Sequence, residues 1–487
     1  MNAALPMAAT TSWGLFAPEL ALCAALVGLL ALELTLGEHE RRERLPWAGI
    51  AGVAMAFLAL WFQAPGTHTA FAGLWTVDPL ARFFKGIFLL AATYALYMSR
   101  LFADRFERGH GEYTMLILTA CTGMCAVASS SDLLMLFVAL ETVTLSLYIM
   151  CAFLRSESAS IEAAIKYLLL GALAAGLYLM GASLLYGATG ATAYADVRLA
   201  LAGLEPGAHG AATLGALMIF SALSFKIAAV PFQLWAPDVY QGAPTPTTAY
   251  LATASKAVGF VALLRFFSSA IPAFAADWKI FLGVLSAATM IYGNFGALLQ
   301  TDLKRLLAYS SIGHAGYLLM GVACFSSAGM SAVGYYMLAY LFATGVAFLV
   351  LILASTPGSG ITSEIASFRG LGRRSPLMAA TLLLALLSLA GLPPLGGFFA
   401  KFLIFVAAVD SKLIWLVVIG VLNVVVSLYY YLQVVRQMYL CEPTITTPLE
   451  VSPLARSWQY ASLAAILILG TYVEPFMKLV GKIASGL

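Results

Sequence analysis

Charged residues are scarce in this chain. Only 10% of its 487 residues are Asp, Glu, Lys or Arg, whereas 62% are hydrophobic. Soluble proteins contain about 25% charged residues, so the composition predicts an all-α protein that crosses the lipid bilayer many times. The net charge of +3 is too small and too dispersed to suggest a nucleic-acid partner.

Histidine and cysteine are also sparse, and their placement argues against bound cofactors. Of the five histidines only His314 lies in an apolar segment, whereas a membrane haem needs two opposed histidines. The six cysteines form no CxxC pair; Cys121 and Cys125 are best interpreted as small buried hydrophobes. There is no phosphate-binding GxxxxGK[ST] loop either. We therefore expect no redox centre or metal in this chain and no nucleotide hydrolysis.

Long apolar runs dominate the sequence, and each can span about 30 Å of hydrocarbon. They predict about fourteen transmembrane helices. The runs are 16–36, 46–62, 79–99, 113–129, 132–153, 162–186, 213–235, 246–269, 279–299, 303–323, 330–354, 377–408, 411–440 and 457–480.

Loop charges support this count and place both termini on the outer side, because Lys and Arg concentrate in inner loops. The outer connections 63–78, 130–131, 187–212, 324–329 and 409–411 are nearly free of them. The inner loops carry Arg41, Arg42, Arg44, Arg100, Arg105, Arg108, Arg155, Lys304, Arg305, Arg369, Arg373, Arg374, Arg436 and Arg456. The exceptions on or near the outer side are Arg82, Lys85, Arg198, Lys279 and Lys412.

Prolines interrupt the seventh and twelfth runs. Pro231 and then Pro237 fall in or just after the seventh, and Pro393 and Pro394 lie in the middle of the twelfth. Proline removes a backbone donor and clashes with the preceding turn, so both helices should be broken. Such breaks are tolerated at membrane depth only against protein or water, which makes Pro231 and Pro394 candidate gating positions.

Paired broken helices are typical of inverted repeats in transporters. Helices 4–8 and 9–13 can be arranged as two five-helix repeats, with the seventh matching the twelfth. Asp132 and Asp302 stand at the heads of the fifth and tenth runs and are expected to cap them. The expected units are an N-terminal three-helix segment (1–112), the two repeats (113–270 and 271–440) and a C-terminal helix (441–487).

Four charged residues lie about halfway along apolar runs: Glu141, Lys226, Lys256 and Lys401. A charge at mid-bilayer costs about 2.5–3.5 kcal/mol on insertion scales. Charges retained at this cost indicate a function, and proton transfer is the simplest one that needs an acid and several amines.

Glu141 and Lys226 are predicted to pair. Burial favours the neutral form of a lysine, and a nearby carboxylate favours the charged form. Movement of Glu141 toward or away from Lys226 would therefore switch the lysine between holding and releasing a proton. The alternative is that a structural lysine merely neutralises the carboxylate.

The remaining candidates continue this line. Lys256 follows Lys226 as a proton acceptor, and its neighbours Ser255 and Gly259 leave room for water. An unperturbed histidine titrates near neutrality, and His314 is either a relay or a hydrogen-bonded core group. Lys401, seven residues after Pro394, is the expected terminal site.

Other charges near the ends of the runs have structural interpretations. Lys166 is four residues after Glu162, and an i,i+4 pair is favoured over a relay role. Arg82 and Lys85 begin the third run, where both are expected to snorkel outward.

Three segments resemble one family closely: FKIAAVPFQLWAPDVYQGAPTPTTAYLATASKAVGF, ALLQTDLKRLLAYSSIGHAGYLLMG and SLAGLPPLGGFFAKF. They are similar to the NADH-quinone oxidoreductase subunit N family, one of the antiporter-like membrane subunits of respiratory complex I. The resemblance runs from about residue 114 to 440. The string APDVYQGAPTP with Lys256, and a lysine at position 401, distinguish subunit N from its sister subunits.

The resemblance implies proton pumping driven by quinone reduction elsewhere in the complex, with Glu141, Lys226, Lys256, His314 and Lys401 as the relay. NADH, FMN, iron–sulfur clusters and quinone (ubiquinone or another) would bind other subunits. The implied partners are neighbouring antiporter-like and small membrane subunits, and the implied location is a bacterial inner membrane. One departure is Gln233, where many relatives carry histidine.

Three other functions remain possible from the sequence. A subunit of a multi-subunit cation/proton antiporter shares the fold and the Glu–Lys pair. A passive scaffold would only space other subunits. A solute transporter acting alone is disfavoured, because no polar pocket beyond the line of charges is evident.

Overall fold

The computed structural model describes residues 12–106, 108–204, 206–272, 275–356, 359–443 and 445–484. Helices make up nearly all of this part of the chain. One small hairpin lies among them: β1 (His68–Ala70) pairs antiparallel with β2 (Trp75–Val77), with Thr69 opposite Thr76. Apart from this hairpin, the expected all-α fold is confirmed.

The α-helices follow one another along the chain. The first group is α1 (Ser12–Leu15), α2 (Ala17–Thr35), α3 (Glu38–Trp61), α4 (Pro79–Leu101), α5 (His110–Ser129), α6 (Leu133–Cys151), α7 (Ser158–Thr189) and α8 (Tyr194–Ala202). The second is α9 (His209–Ile227), α10 (Trp235–Gly242), α11 (Thr245–Tyr250), α12 (Lys256–Arg265), α13 (Ala275–Ala297), α14 (Leu303–Ala323) and α15 (Ser327–Ala354). The third is α16 (Leu371–Arg374), α17 (Pro376–Ala390), α18 (Gly396–Asp410), α19 (Ile414–Leu440), α20 (Pro453–Thr471) and α21 (Val473–Ala484).

Twelve helical segments within the described ranges are long and apolar enough to cross a membrane, and thirteen if the bent pair α20 and α21 counts as one span. Helices α17 and α18 have 15 residues each and flank one break. The multi-pass membrane fold is thus confirmed. The count of fourteen and the inverted repeats stay predictions.

Burial is uneven across the bundle and identifies its centre. In the most apolar 18-residue stretch of each helix, 94% of the residues are buried in Thr245–Ala270 and in α14 and 89% in α15, but only 33% in α7 and α19. The central segments carry Lys256 and His314, so these two groups lie far from the surface that faces lipid.

Both predicted breaks are present. Helix α9 ends at Ile227, Ala228 adopts a left-handed conformation with φ of 57°, and α10 begins only after Pro231. Helix α17 ends where Gly391 takes φ of 90°, and Pro394 precedes the start of α18. Each span therefore consists of two half-helices joined by irregular backbone.

A third irregularity was not predicted. Residues Leu251–Ser255, between α11 and α12, form a π-helical turn, and Phe266–Ala270 form another after α12. Such turns are frequently found at functional sites. The first of them ends immediately before Lys256.

The two expected helix caps are confirmed, and they are built alike. Asp132 accepts hydrogen bonds from the backbone N–H groups at the start of α6, and Asp302 accepts one from Arg305 at the start of α14. Each aspartate also pairs as an isolated bridge with a distant loop, Asp132 with Ala193 and Asp302 with Glu364. This likeness is consistent with two related repeats.

The C-terminal region differs from the predicted single helix over 457–480. Helix α20 ends at Thr471, and α21 turns away from it by 80°. The reason is the pattern of α21: Val480 and Ile483 are buried, whereas Glu474 and Lys478 form an exposed ion pair on the opposite side. A short helix with one apolar face packs along a neighbour more readily than it crosses a bilayer.

Candidate functional site

Lys226 occupies the end of α9, directly before the first break. Its side chain is 6% exposed, and Nζ donates to Thr144 Oγ1 at 3.2 Å. The Thr144 hydroxyl in turn donates to the carbonyl of Leu140, one turn earlier on α6. Lys226 is therefore held by a neutral hydroxyl from the helix that carries Glu141.

Glu141 shares a cavity with Lys226 but does not contact it. Both side chains and Thr144 line a cavity between α6, α7 and α9. The ion pairs of the described residues do not include Glu141 or Lys226. The structure thus brings the predicted partners to one cavity. The Lys226 ammonium, however, is hydrogen-bonded to Thr144 and not to Glu141.

Glu141 also lies on an outward-facing stripe of α6. Val138, one turn before it, is 59% exposed, and Leu145, one turn after it, is 53% exposed. Glu141 itself is half-buried. Its carboxylate is therefore at the edge of this subunit, between the Lys226 cavity and the outer surface of the chain.

Lys256 begins α12 in the centre of the bundle and is 2% exposed. Its Nζ donates to both the carbonyl and the hydroxyl of Ser311 on α14, and it lies 5.7 Å from the ring centre of Tyr340. A methyl group on Gly259 would approach Ile227 to 2.4 Å. Glycine at this position therefore allows α12 to pack directly against the end of α9, beside Lys226.

His314 lies one turn further along α14 from the Lys256 contact and is 4% exposed. Its Nδ1 is 2.5 Å from the hydroxyl of Tyr336, and its Nε2 is 3.2 Å from the hydroxyl of Tyr431. The Tyr431 hydroxyl also contacts Ser310 Oγ. Both imidazole nitrogens thus have hydroxyl partners, an arrangement that suits a proton relay and equally a satisfied core histidine.

Lys401, on α18, ends this line of groups. Its Nζ donates to the carbonyl of Ala390 at 2.9 Å, a carbonyl freed by the second break. It also lies 4.9 Å from the ring centre of Tyr317, and it lines one cavity together with His314 and Tyr336. The structure therefore brings Lys401 and His314 together, as the sequence predicts.

Side chains satisfy the backbone groups that the first break exposes. Trp235 Nε1 donates to the carbonyl of Phe225 at 3.0 Å, and the Val230 N–H donates to Thr289 Oγ1 at 3.1 Å. Gln233, which lies just after the first break, is 5% exposed. Its Oε1 has no hydrogen-bond partner within the described chain.

A second ionic cluster holds the inner half of the broken seventh helix. Asp238 on α10 accepts from Lys166 at 2.7 Å and from Arg305 at 2.8 Å. Lys166 also pairs with Glu162 at 2.7 Å, which confirms the expected i,i+4 pair. The sequence did not predict that Lys166 also links α7 to α10.

Two fully buried ion pairs correct the expectation for Lys85. Lys85 does not snorkel: it is 0% exposed, 2.8 Å from Glu19 and 4.9 Å from the ring centre of Trp75. Asp78 and Arg265 form a second pair, with contacts of 2.8 and 3.0 Å. Glu19 and Asp78 are therefore buried carboxylates in addition to Glu141. The signal that the sequence offered was an acid near the start of the first run, Glu19, and a base near the start of the third, Lys85.

The hydroxyl partners of the site were also missed. They are Thr144, Ser311, Tyr336 and Tyr431. Serine, threonine and tyrosine are common in apolar helices, so no single one stands out. A contact of Ser311 or Tyr431 with a buried basic group could have been inferred only from the packing of their helices against that group.

Comparisons with known proteins identify the family to which the chain is similar. A family model described as NADH:quinone oxidoreductase/Mrp antiporter, transmembrane, matches residues 130–427. The NADH-quinone oxidoreductase subunit N of Moorella thermoacetica is 42% identical over 457 residues, which are 93% of this chain and 94% of that protein. A chain of respiratory complex I from Thermus thermophilus with bound aureothin is 35% identical, with a TM-score of 0.80 and coverage of 95% of this chain and 98% of the other.

One further structural match concerns the fold alone. A chain of the Mrp complex from Dietzia sp. DQ12-45-1b superposes with a TM-score of 0.85 over 97% of both chains, at 20% identity. At that level of identity the likeness shows a shared architecture and carries no functional argument.

Proposed function

The chain belongs to the NADH:quinone oxidoreductase/Mrp antiporter family, in its subunit N branch, and we propose that it translocates protons as a membrane subunit of a respiratory complex I. Quinone reduction elsewhere in the complex drives the transfer. The protons move along the line Glu141, Lys226, Lys256, His314 and Lys401.

One observation carries the proposal: buried basic groups follow one another through the interior, and each has a hydroxyl or carbonyl partner. Lys256 contacts Ser311, and His314 follows three residues later on the same helix. His314 in turn shares a cavity with Lys401. Charged groups inside a membrane face protein or water and typically mark ion pathways. A row of exchangeable groups at this depth costs stability. Its presence therefore supports a function in proton transfer.

Unsatisfied polar atoms support water along the first half of the line. The hydroxyl of Ser224 is buried without a hydrogen-bond partner in the described chain, and the buried hydroxyls of Tyr167 and Ser255 have none beyond each other. Ser224 precedes Lys226 by two residues and Ser255 directly precedes Lys256. Buried polar groups of this kind are generally satisfied by ordered water. Water here would join two lysines that have no direct contact.

The position of Glu141 supports partner subunits in the membrane. A half-buried carboxylate between exposed Val138 and Leu145 would face lipid in an isolated chain, which is unfavourable. Another membrane subunit packed on this stripe of α6 would remove that cost. Neighbouring antiporter-like and small membrane subunits are the partners that the family membership implies.

The remaining parts of the proposal follow from the same membership. The chain carries out no electron transfer itself; NADH, FMN, iron–sulfur clusters and quinone belong to other subunits. It lies in a bacterial inner membrane with both termini on the periplasmic side. Pro231 and Pro394 mark the two breaks that let the lysines beside them change access.

The experiment uses the assembled complex in proteoliposomes. Lys256→Met keeps the length of the side chain and removes the exchangeable proton, so the number of protons pumped per electron should fall while the complex stays assembled. The matched control is Lys478→Met, because Lys478 is 74% exposed on α21 and lies outside the line. Its pumping ratio should equal that of the unmodified chain.

Two results would favour the alternatives. An unchanged pumping ratio in an assembled Lys256→Met complex would support the passive scaffold. Sodium-dependent flux through the isolated chain, insensitive to quinone-site inhibitors, would support the antiporter subunit.

A further inference from the structure

A groove on the surface of the chain lies outside the proton line, since none of its lining residues belongs to that line. It runs between α4, α15 and α21, and its walls are apolar: Phe83, Ile87 and Leu90 from α4, Leu338 from α15 and Leu479 from α21. Its volume is about 610 Å³, which is much larger than a water site. A groove of this size and composition fits a long apolar ligand.

The packing of α21 creates the groove. A methyl group on Gly334 of α15 would meet Ile483 at 2.7 Å and Phe83 at 3.3 Å. Because Gly334 has no side chain, α21 and α4 both pack closely on α15, and the space between them remains as the groove. At Gly86, in the groove wall, a methyl group would meet no atom within 4 Å.

One end of the groove is positively charged. Arg82 and Lys482 both line it. The Arg82 guanidinium donates to the carbonyls of Ala64 and Gly66, at 2.8 and 3.2 Å, and no ion pair of the described residues includes it. A guanidinium has five N–H donors, so Arg82 is fixed in place with donors left for a ligand. Arginine is well suited to bind phosphate.

The length of the groove matches one leaflet. Arg82 and Leu90 are eight residues apart on α4, which is about 12 Å along a helix. Half of the hydrocarbon core is about 15 Å thick. A cationic end at the start of a helix and an apolar wall of this length correspond to the headgroup and acyl-chain region of a single leaflet.

We propose that this groove is a binding site for an anionic phospholipid. The phosphate lies between Arg82 and Lys482, and one acyl chain lies along Phe83, Leu90 and Leu338. Basic pockets between transmembrane helices bind anionic headgroups in the same way. An apolar helix of a partner subunit would fill the walls but would leave Arg82 without an anion.

The test places a photoreactive benzophenone residue at position 479 of the chain in its assembled complex. Leu479 is 49% exposed in the groove wall, so the probe samples whatever occupies the groove. In vesicles of equal parts phosphatidylglycerol and phosphatidylcholine, adducts with phosphatidylglycerol should exceed those with phosphatidylcholine by about fivefold for each cation involved. Mass spectrometry of the cross-linked chain measures the ratio.

Four variants separate the contributions. Arg82→Gln should lower the ratio about fivefold, to the excess that Lys482 alone supports, whereas Arg82→Lys should keep the full excess. Arg198→Gln, which removes an exposed arginine on α8, should leave the ratio unchanged. Gly86→Trp should fill the groove and reduce the adducts of both lipids.

Two outcomes would overturn the proposal. One is a ratio near one in the unmodified chain, since this means that the groove holds lipid without regard to charge. The other is a probe that cross-links to another subunit instead of lipid, together with a Gly86→Trp complex that fails to assemble. That result would assign the groove to a partner helix.

Discussion

Thr144 holds Lys226 in this structure, at 3.2 Å from its ammonium, three residues from Glu141 on the same helix. A hydroxyl that is neutral at all physiological pH values therefore takes the place expected for the carboxylate. In the proposed mechanism this arrangement would be one state of the switch: Lys226 rests on Thr144, and a turn of the side chain within the shared cavity would transfer it to Glu141.

Thr144→Val should lower the number of protons pumped per electron. Valine has the shape of threonine but cannot accept the hydrogen bond, and a hydrogen bond to a charged group contributes about 1.5–3 kcal/mol. Without it, the resting position of Lys226 is lost. The measurement is acidification of the proteoliposome lumen per NADH oxidised. Thr144→Ser restores the hydroxyl and should restore pumping; failure of this rescue would mean that threonine acts only through packing.

Two adjacent tyrosines on α19 offer a direct test of the His314 relay. The Tyr431 hydroxyl lies 3.2 Å from His314 Nε2, whereas the Tyr430 hydroxyl donates to Asn294 at 3.0 Å. Tyr431→Phe should therefore reduce proton pumping, and Tyr430→Phe should not, although both remove one buried hydroxyl. Proton-to-electron ratios in assembled complexes distinguish the two variants. Equal effects would indicate that His314 is a satisfied core residue.

The main features of this site could be predicted because charges are conspicuous in apolar sequence. Lys226, Lys256 and Lys401 can be identified for this reason. The prolines at 231 and 394 locate the two helix breaks, which lie next to Lys226 and Lys401. A charge in hydrocarbon is energetically costly, and a proline breaks the helix that contains it. Both effects can be recognised from the local sequence. The structure places all of these residues in the buried interior or at the breaks.

The remainder depends on tertiary packing that no local pattern encodes. Threonine bonds to its own helix backbone in many places, as Thr144 also does, so its contact with Lys226 is invisible in sequence. The π-helical turn before Lys256 has no residue signature. Lys85 was expected near the surface because it begins a helix, but the hairpin and Glu19 cover it completely.

Gly391→Ala should impair Lys401 specifically. Gly391 has φ of 90°, and a methyl group on it would lie 2.9 Å from Lys401 Cδ. Alanine therefore pays about 1–2 kcal/mol for the left-handed backbone and also pushes Lys401 away from the carbonyl of Ala390. We expect an assembled complex with reduced pumping. The matched control is Gly187→Ala on α7, where a methyl group meets nothing within 4 Å; if both variants pump equally, the close approach of Lys401 has no functional role.

The buried and half-exposed ion pairs should differ sharply in their contribution to stability. Asp78 and Arg265 are 1% and 3% exposed, so Asp78→Asn leaves a buried guanidinium without its counter-charge, at a cost of about 3–5 kcal/mol. Asparagine still accepts the hydrogen bond that caps α4, which isolates the loss of charge. Asp238, paired with Lys166 and Arg305, is 34% exposed, and water screens such pairs.

Thermal unfolding of the purified chain in detergent, followed by circular dichroism, compares the two aspartates. The unfolding midpoint should fall strongly for Asp78→Asn and little for Asp238→Asn. High salt should reduce the small effect at Asp238 further, because screening acts on exposed charges, and should leave the effect at Asp78 unchanged. Equal shifts, or a salt-sensitive shift at Asp78, would mean that water reaches the outer end of α4 and that Arg265 does not lie in a sealed interior.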